Sequence, residues 1–359
     1  MYITIPELNY ITIEHTNKCN LRCPQCARTS WKDGGVNPNL KMTELKVEDY
    51  KRFASPEFYK NIPIINFTGG YGDAIASSNF LEVVRFIVDS GTNMVVQTNG
   101  ALRDNSYYEQ LAEMFGDVER RGIEFAIDGL EDTYHMYRKG GDFNKVMEHA
   151  KAYINAGGNA RWNVILFDHI KHQKDEMIQR AKDMGFKSMV IKKVTRSLPI
   201  NKNYYKNLYE RVYFEDDDFG SFLDKYGNYA NYANTCKVEC VFKNTGQLCI
   251  DHQLNLWPCT PMATTPYLEM DDDHILKKQI SDLYIKYGEG FNSLRDKTID
   301  EVLQHPWFKN DLEESWCNTI SDENSKLILC AKTCGDYIKI TGCASENREK
   351  LFFGEEGDE

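Results

Sequence analysis

Over its first 200 residues the chain alternates between two hydrophobic periods. Short runs rich in β-branched and aromatic residues stand at "YITIEHT" (10–16), "PIINF" (63–67), "MVVQT" (94–98), "IEFAID" (123–128), "WNVILF" (162–167) and "SMVIKKV" (188–194). Between them, apolar residues recur at helical spacing. After Ser77 and Ser78, read as N-caps, Phe80, Val83, Val84 and Ile87 form one apolar stripe, and Gly91 closes it. Met177, Ile178, Ala181 and Met184 form another, closed by Gly185. Most of the β-rich runs begin about 30 residues apart, the length of a βα unit, so the pattern predicts a parallel sheet. Six units are too few for an eight-stranded barrel. The expected fold is α/β, with an open, partial (β/α)6 barrel over residues 1–205.

The alternation stops at a stretch rich in Tyr, Asn and Asp, and residues 206–235 read as a linker or lid. Beyond it the strands shorten. "GQLCIDHQLNLWPC" (246–259) predicts a β-hairpin turning near Asp251–Gln253, and "TIDEVLQHPWF" (298–308) a short helix. A small cysteine-rich C-terminal domain containing that hairpin is expected over 236–350, followed by a disordered acidic tail over 351–359.

Charge removes some functions. Forty-three basic and 54 acidic residues leave a net charge of −11, which argues against an extensive nucleic-acid surface. No apolar run reaches the roughly 18 residues of a membrane span. The start "MYITIPELNY" has neither the charged opening nor the apolar core of a signal peptide, so a cytoplasmic location is expected. Eleven cysteines in such a compartment point to metal sites before disulfides. Their distribution agrees: Cys19, Cys23 and Cys26 stand alone near the start, and the other eight all follow residue 235.

Cys19, Cys23 and Cys26 lie directly after the first predicted strand. A tetrahedral zinc site needs four ligands, and His15 is the only nearby candidate for the fourth. Three thiolates suit a [4Fe–4S] cluster with one iron left open. "CNLRCPQC" resembles the Cys-x3-Cys-x2-Cys motif of the radical S-adenosylmethionine (SAM) enzymes. The resemblance implies that the SAM amino and carboxylate groups chelate the open iron. One electron then cleaves SAM to methionine and a 5′-deoxyadenosyl radical, which removes a hydrogen atom from the substrate. It also implies an external electron donor such as flavodoxin or ferredoxin.

Further matches follow in the family's order. "FTGGYGDAIAS" (67–77) is similar to the family's Gly-Gly-Glu-Pro turn, with Gly72 and Asp73 carrying the match to the SAM amino group. "TNG" (98–100) resembles the ending of the third strand and places Asn99 near the ligand. "IDGLEDTYHMYRKG" (127–140) resembles the fourth-strand ending and makes Arg138 the partner of the SAM carboxylate. Gln25, Ala74 and Ala126 depart from the family pattern. Each match sits at the C-terminal end of a predicted strand, where parallel βα folds place ligands. By position, Arg196 is a further candidate for an anionic substrate group, and His169, His172 and Tyr137 lie on nearby loops.

The late cysteines are Cys236, Cys240, Cys249, Cys259, Cys317, Cys330, Cys334 and Cys343. Residues 240–259 resemble the hairpin of the SPASM and twitch domains, which hold auxiliary iron–sulfur clusters, although Leu254 stands where the family has glycine. "CAKTC" (330–334) with Cys343 resembles their closing portion. The resemblance implies one auxiliary [4Fe–4S] cluster on Cys240, Cys249, Cys259 and Cys334. Cys317, Cys330 and Cys343 match three ligands of a second. Cys236 is a candidate to complete it; a non-cysteine ligand, an open site or no second cluster are the alternatives.

The implied function is hydrogen abstraction from a peptide or small polar metabolite, in an oxidation or related modification. The alternatives are a sugar or nucleotide-sugar dehydrogenase or epimerase of the same superfamily, and a non-catalytic iron–sulfur or zinc protein.

Overall fold

The computed structural model of the protein describes residues 1–193, 224–271, 273–336 and 348–353. Strands β1 (Tyr10–Ile13), β2 (Ile64–Phe67), β3 (Met94–Thr98), β4 (Gly122–Ala126), β5 (Ala160–Leu166) and β6 (Ser188–Lys193) lie parallel and side by side in chain order. Helices α1 (Val47–Phe53), α2 (Pro56–Asn61), α3 (Phe80–Asp89), α4 (Asn105–Phe115), α5 (Tyr134–Tyr137), α6 (Phe143–Asn155) and α7 (Lys174–Met184) fill the crossovers.

Strand alternation separates two faces. Ile65, Phe67, Val96, Ile123, Phe125, Trp162 and Met189 share one parity across the register and are buried. That face meets the helices: Phe67 packs on Phe80 of α3, and Phe125 on Tyr108 of α4 and Tyr153 of α6. The opposite parity carries Thr12, Asn66, Gln97, Glu124, Asn163 and Lys192, a polar lining for the other face.

The sheet does not stop at six strands. Among the described residues it has nine, in the order β8-β7-β1-β2-β3-β4-β5-β6-β9. Strand β7 (Gln247–Ile250) pairs in parallel with β1 and antiparallel with β8 (Leu256–Trp257); β9 (Arg348–Phe352) pairs antiparallel with β6. The cysteine-rich region therefore shares the barrel's sheet, because an open sheet has two edges that must be paired or covered. Helices α8 (Tyr229–Thr235), α9 (Val241–Asn244), α10 (Thr260–Thr264), α11 (Ile275–Tyr287), α12 (Ile299–Leu303), α13 (Leu312–Ser315) and α14 (Ile328–Cys334) complete the described structure.

Several expectations need correction. Helix α3 is entered through Asn79. The Ser77 hydroxyl is engaged with His15 and Asn79, and that of Ser78 with Glu44. Residues 229–235, read as linker, form α8. Leu351 and Phe352, read as disordered tail, belong to β9. The rest of the linker and tail lies outside the described residues. The hairpin turn at 251–255 keeps a left-handed residue without a glycine. Leu254 has φ 65°, a conformation costing an L-residue about 1–2 kcal/mol. Its N–H donates to the Asp251 carbonyl, while the Asp251 carboxylate takes the N–H groups of Gln253 and Asn255. No helix among the described residues is long and apolar enough to cross a membrane.

His15 is buried and turned away from the cysteines. Its ring nitrogens bond Tyr50 Oη at 2.9 Å, and Ser77 Oγ and Asn79 Oδ1 at 2.9 and 3.0 Å. It is not placed as a metal ligand. Burial pushes its pKa from 6.5 down to about 4. The unfolded chain therefore binds a proton that the folded one refuses. The stability this neutral ring contributes is complete above pH 6.5 and is lost as pH falls toward 4, a loss of roughly 3 kcal/mol. The His15→Gln variant should lose that component. Denaturant unfolding of both proteins between pH 7 and pH 4 measures it, and identical pH slopes would contradict the assignment.

Candidate active site

The chain leaves β1 at the C-terminal edge of the sheet and folds into tight turns. Cys26 N–H donates to the Cys23 carbonyl, and Thr29 N–H to that of Cys26. Asn17 braces the loop by donating to the Lys41 carbonyl at 2.6 Å and accepting from Thr43 N–H at 2.8 Å. The three thiols lie close enough that charge on Cys23 or Cys26 disfavours ionisation of Cys19, and charge on Cys26 disfavours that of Cys23. Among the described residues no trio of His, Cys, Asp or Glu converges tightly enough for a single metal ion.

Nitrogen donors approach two of these sulfurs. Leu21 N–H and Asn99 Nδ2 approach Cys19 Sγ at 3.4 and 3.5 Å, and Arg138 Nη1 approaches Cys23 Sγ at 4.0 Å. Donors aimed at sulfur stabilise thiolate charge and tune iron–sulfur clusters, so the loop fits such a group. Without metal, burial pushes the Cys19 thiol up to about 12, with the Asp73 charge adding to it. Burial likewise pushes Cys23 up to about 11, against the pull of Arg138. Loading iron must therefore displace protons from these thiols.

The glycine turn after β2 crosses the base of this loop. A Cβ on Gly72 would lie 2.0 Å from the Thr16 carbonyl oxygen and 2.7 Å from Asn17 Cα, so no larger residue fits. Asp73 N–H donates to the Lys18 carbonyl. The Asp73 carboxylate is buried and already engaged. It accepts from Thr98 Oγ1 at 3.0 and 2.9 Å, Asn99 N–H at 2.8 Å and Ile75 N–H at 3.1 Å. Burial raises its pKa, and those bonds oppose the rise. Within the protein, Asp73 fastens the turn to the end of β3. Thr98 is the partner that the sequence reading missed.

Asn99 spans the same junction, donating from Nδ2 to Asn20 Oδ1 at 3.1 Å and accepting from Ala101 N–H at 2.8 Å. Arg138, expected to face a ligand carboxylate, gives its fork to Asp128, with Nε at 2.7 Å and Nη2 at 2.6 Å. Burial works against its charge, but Asp128, itself fully buried, together with Cys23, Tyr137 and Tyr134 outweighs burial and keeps the guanidinium protonated. The Phe167 ring stacks on His169 and contacts Tyr137. Arg196 lies outside the described residues.

Residues 13–186, which hold all of these features, match the Radical SAM superfamily. This part of the chain is a radical SAM domain. The superfamily uses a [4Fe–4S] cluster and SAM. The chain is 24% identical over 201 residues to the tungsten-containing aldehyde ferredoxin oxidoreductase cofactor-modifying protein of Pyrococcus furiosus, covering 56% of this chain and 49% of that one. It spans about half the length of the curated relatives it matches. Two solved structures share its fold. One is anSMEcpe with bound AdoMet, with a TM-score of 0.51, 14% identity and 90% of each chain covered. The other is Streptococcus suis SuiB bound to precursor peptide SuiA, with a TM-score of 0.50, 14% identity, and 77% of this chain and 64% of that one covered.

Beyond the radical SAM domain, Cys240, Cys259, Cys330 and Cys334 line one pocket, together with Tyr2 and Trp316. Cys240 opens α9, Cys259 follows β8, and Cys330 and Cys334 stand one turn apart on α14. Cys240 Sγ receives the Lys243 N–H at 3.5 Å and lies 3.6 Å from Tyr2 Oη. Its hydrogen bond with Cys334 lowers the Cys240 pKa and raises that of Cys334.

This grouping differs from the one implied by resemblance. Cys330 joins the pocket, because residues four apart share a helix face. Cys249 does not line it, although it lies close to Cys259: it is buried on β7 beside Glu14, Asp251 and Thr260, and burial raises its pKa. Cys236 is buried near Cys330, with Sγ 3.8 Å from the Ala233 carbonyl oxygen, and Cys317 is exposed. Cys343 lies outside the described residues.

Proposed function

We propose that the chain is a radical SAM enzyme acting on a peptide or small polar metabolite, with Cys19, Cys23 and Cys26 holding the SAM-binding [4Fe–4S] cluster. The observation that carries this reading is the thiol triad at the C-terminal edge of β1, ringed by N–H donors and braced against the glycine turn. When bound, the cluster supplies the electron that cleaves SAM to methionine and a 5′-deoxyadenosyl radical, which takes a hydrogen atom from the substrate.

The chain's own residues do the rest. Asn99 and Arg138 direct N–H groups at the sulfurs. Asp73 locks the glycine turn to β3, leaving the Gly69–Gly70 backbone at the surface of the site. The polar lining of the sheet (Asn66, Gln97, Glu124, Asn163) suits a hydrogen-bonding substrate better than an apolar one. The fold shared with a structure holding a precursor peptide is consistent with a peptide. Cys240, Cys259, Cys330 and Cys334 are the ligand set for one auxiliary cluster, an electron acceptor suited to an oxidation. Reduction is assigned to a flavodoxin or ferredoxin.

The protein reconstituted anaerobically with iron and sulfide should form 5′-deoxyadenosine from SAM in the presence of dithionite, detected by chromatography. Fully loaded protein that forms none contradicts the enzyme reading and favours a binding protein on the same fold.

A further inference from the structure

A buried carboxylate and a buried imidazole meet beside the glycine turn, and no role above uses them. Glu14 follows β1 at the C-terminal edge of the sheet, and His252 sits in the turn of the β7–β8 hairpin. Both are almost fully buried. Glu14 Oε2 lies 2.7 Å from His252 Nδ1, and Glu14 Oε1 accepts the backbone N–H of Tyr71. A Cβ on Gly70 would lie only 3.1 Å from Glu14 Oε1 and 3.2 Å from Thr264 Cγ2, so the turn rests directly on the carboxylate.

His252 is itself held. Its carbonyl accepts from Thr43 Oγ1 at 2.8 Å, and its ring packs against Tyr267 and Tyr71. Asp251, next to it, accepts from Trp257 Nε1 and Tyr267 Oη, both at 2.8 Å, which stiffens the hairpin turn. His252 Nε2 has no hydrogen-bond partner among the described residues. The ring therefore makes its one polar side-chain contact through Nδ1, to Glu14. Removing either partner leaves a buried polar group unpaired, and that group must relax by moving. The nearest movable element is the turn hanging on Glu14.

We propose that Glu14 and His252 are positioning residues for SAM. The carboxylate fixes the Gly70–Tyr71 peptide, and the histidine on the hairpin fixes the carboxylate, so the cysteine-rich region sets the shape of the SAM-binding turn. This rests on the assignment of that turn to SAM.

The test compares two variants of similar size in the reconstituted protein. His252→Asn keeps a donor where Nδ1 stands; His252→Gln places its donor where Nε2 stands. SAM affinity is read by equilibrium dialysis with labelled SAM and by the SAM-induced change in the electron paramagnetic resonance spectrum of the reduced cluster. His252→Asn should stay within about twofold of wild type. His252→Gln should bind SAM about tenfold or more weakly, the loss expected for one hydrogen bond to a charged group, with unchanged iron content. A purely structural histidine would move both variants together, alongside thermal stability. Both variants binding as wild type, or both weakening equally, overturns the proposal. Wild-type protein that binds no SAM overturns instead the assignment of the turn. If His252→Gln fails to fold, Thr43→Val, which releases the His252 peptide, takes its place: it should weaken SAM binding, and unchanged affinity overturns the proposal.

Discussion

Changing Cys19, Cys23 and Cys26 together to alanine reduces 5′-deoxyadenosine formation to background and removes about four irons per chain. Both follow from the loop geometry. The three thiols are the only cysteines before Cys236, and the donors on Leu21, Asn99 and Arg138 are aimed at two of them. His15 does not stand in as a ligand, since it is committed to Tyr50, Ser77 and Asn79. The fold should survive, because replacing buried thiols by alanine removes little volume and no strong hydrogen bond. Iron analysis and chromatography of reaction mixtures check this directly. SAM cleavage retained in the triple variant would mean that the radical is generated elsewhere.

The second large effect separates two readings of the late cysteines. Cys330→Ala should remove the iron of the auxiliary site, about four per chain, while uncoupled SAM cleavage continues at the first cluster. Cys249→Ala should leave that iron in place. The family spacing makes the opposite assignment, with Cys249 a ligand and Cys330 part of another site. In the structure Cys240, Cys259, Cys330 and Cys334 line one pocket, while Cys249 lies outside its lining, close to Cys259, Glu14 and Asp251. Iron counts on the two variants, made in the Cys19/Cys23/Cys26 background so that only auxiliary iron remains, decide between them. Iron lost from Cys249→Ala and kept in Cys330→Ala would restore the spacing-based set.

Much of the barrel was legible because its signals are local. "MVVQT" is β3 residue for residue, and the stripe Phe80, Val83, Val84, Ile87 is the buried face of α3. The ends of elements were less legible. Ser77 and Ser78 have the chemistry of caps, but a tertiary contact with His15 and another with Glu44 use their hydroxyls, and Asn79 stands at the helix start. The hairpin at 247–257 is legible as a hairpin, yet its pairing with β1 is not, because strand partners 237 residues apart in the chain leave no local mark. Glu14 gave a faint signal: it shares the parity of Thr12 and so the polar face of β1. Its partner His252 gave none.

By itself the sequence determined the βα order, the thiol triad and the glycine turn, since each depends on residues within a few positions of one another and on side-chain chemistry that any fold must respect. Only the tertiary structure decided which of the late cysteines meet, that Asp73 and Arg138 spend their charges on Thr98, Asn99 and Asp128, and that Glu14 reaches His252. Those outcomes depend on which buried polar groups are brought within bonding distance. Burial makes each such group take whatever partner the packing of distant segments supplies.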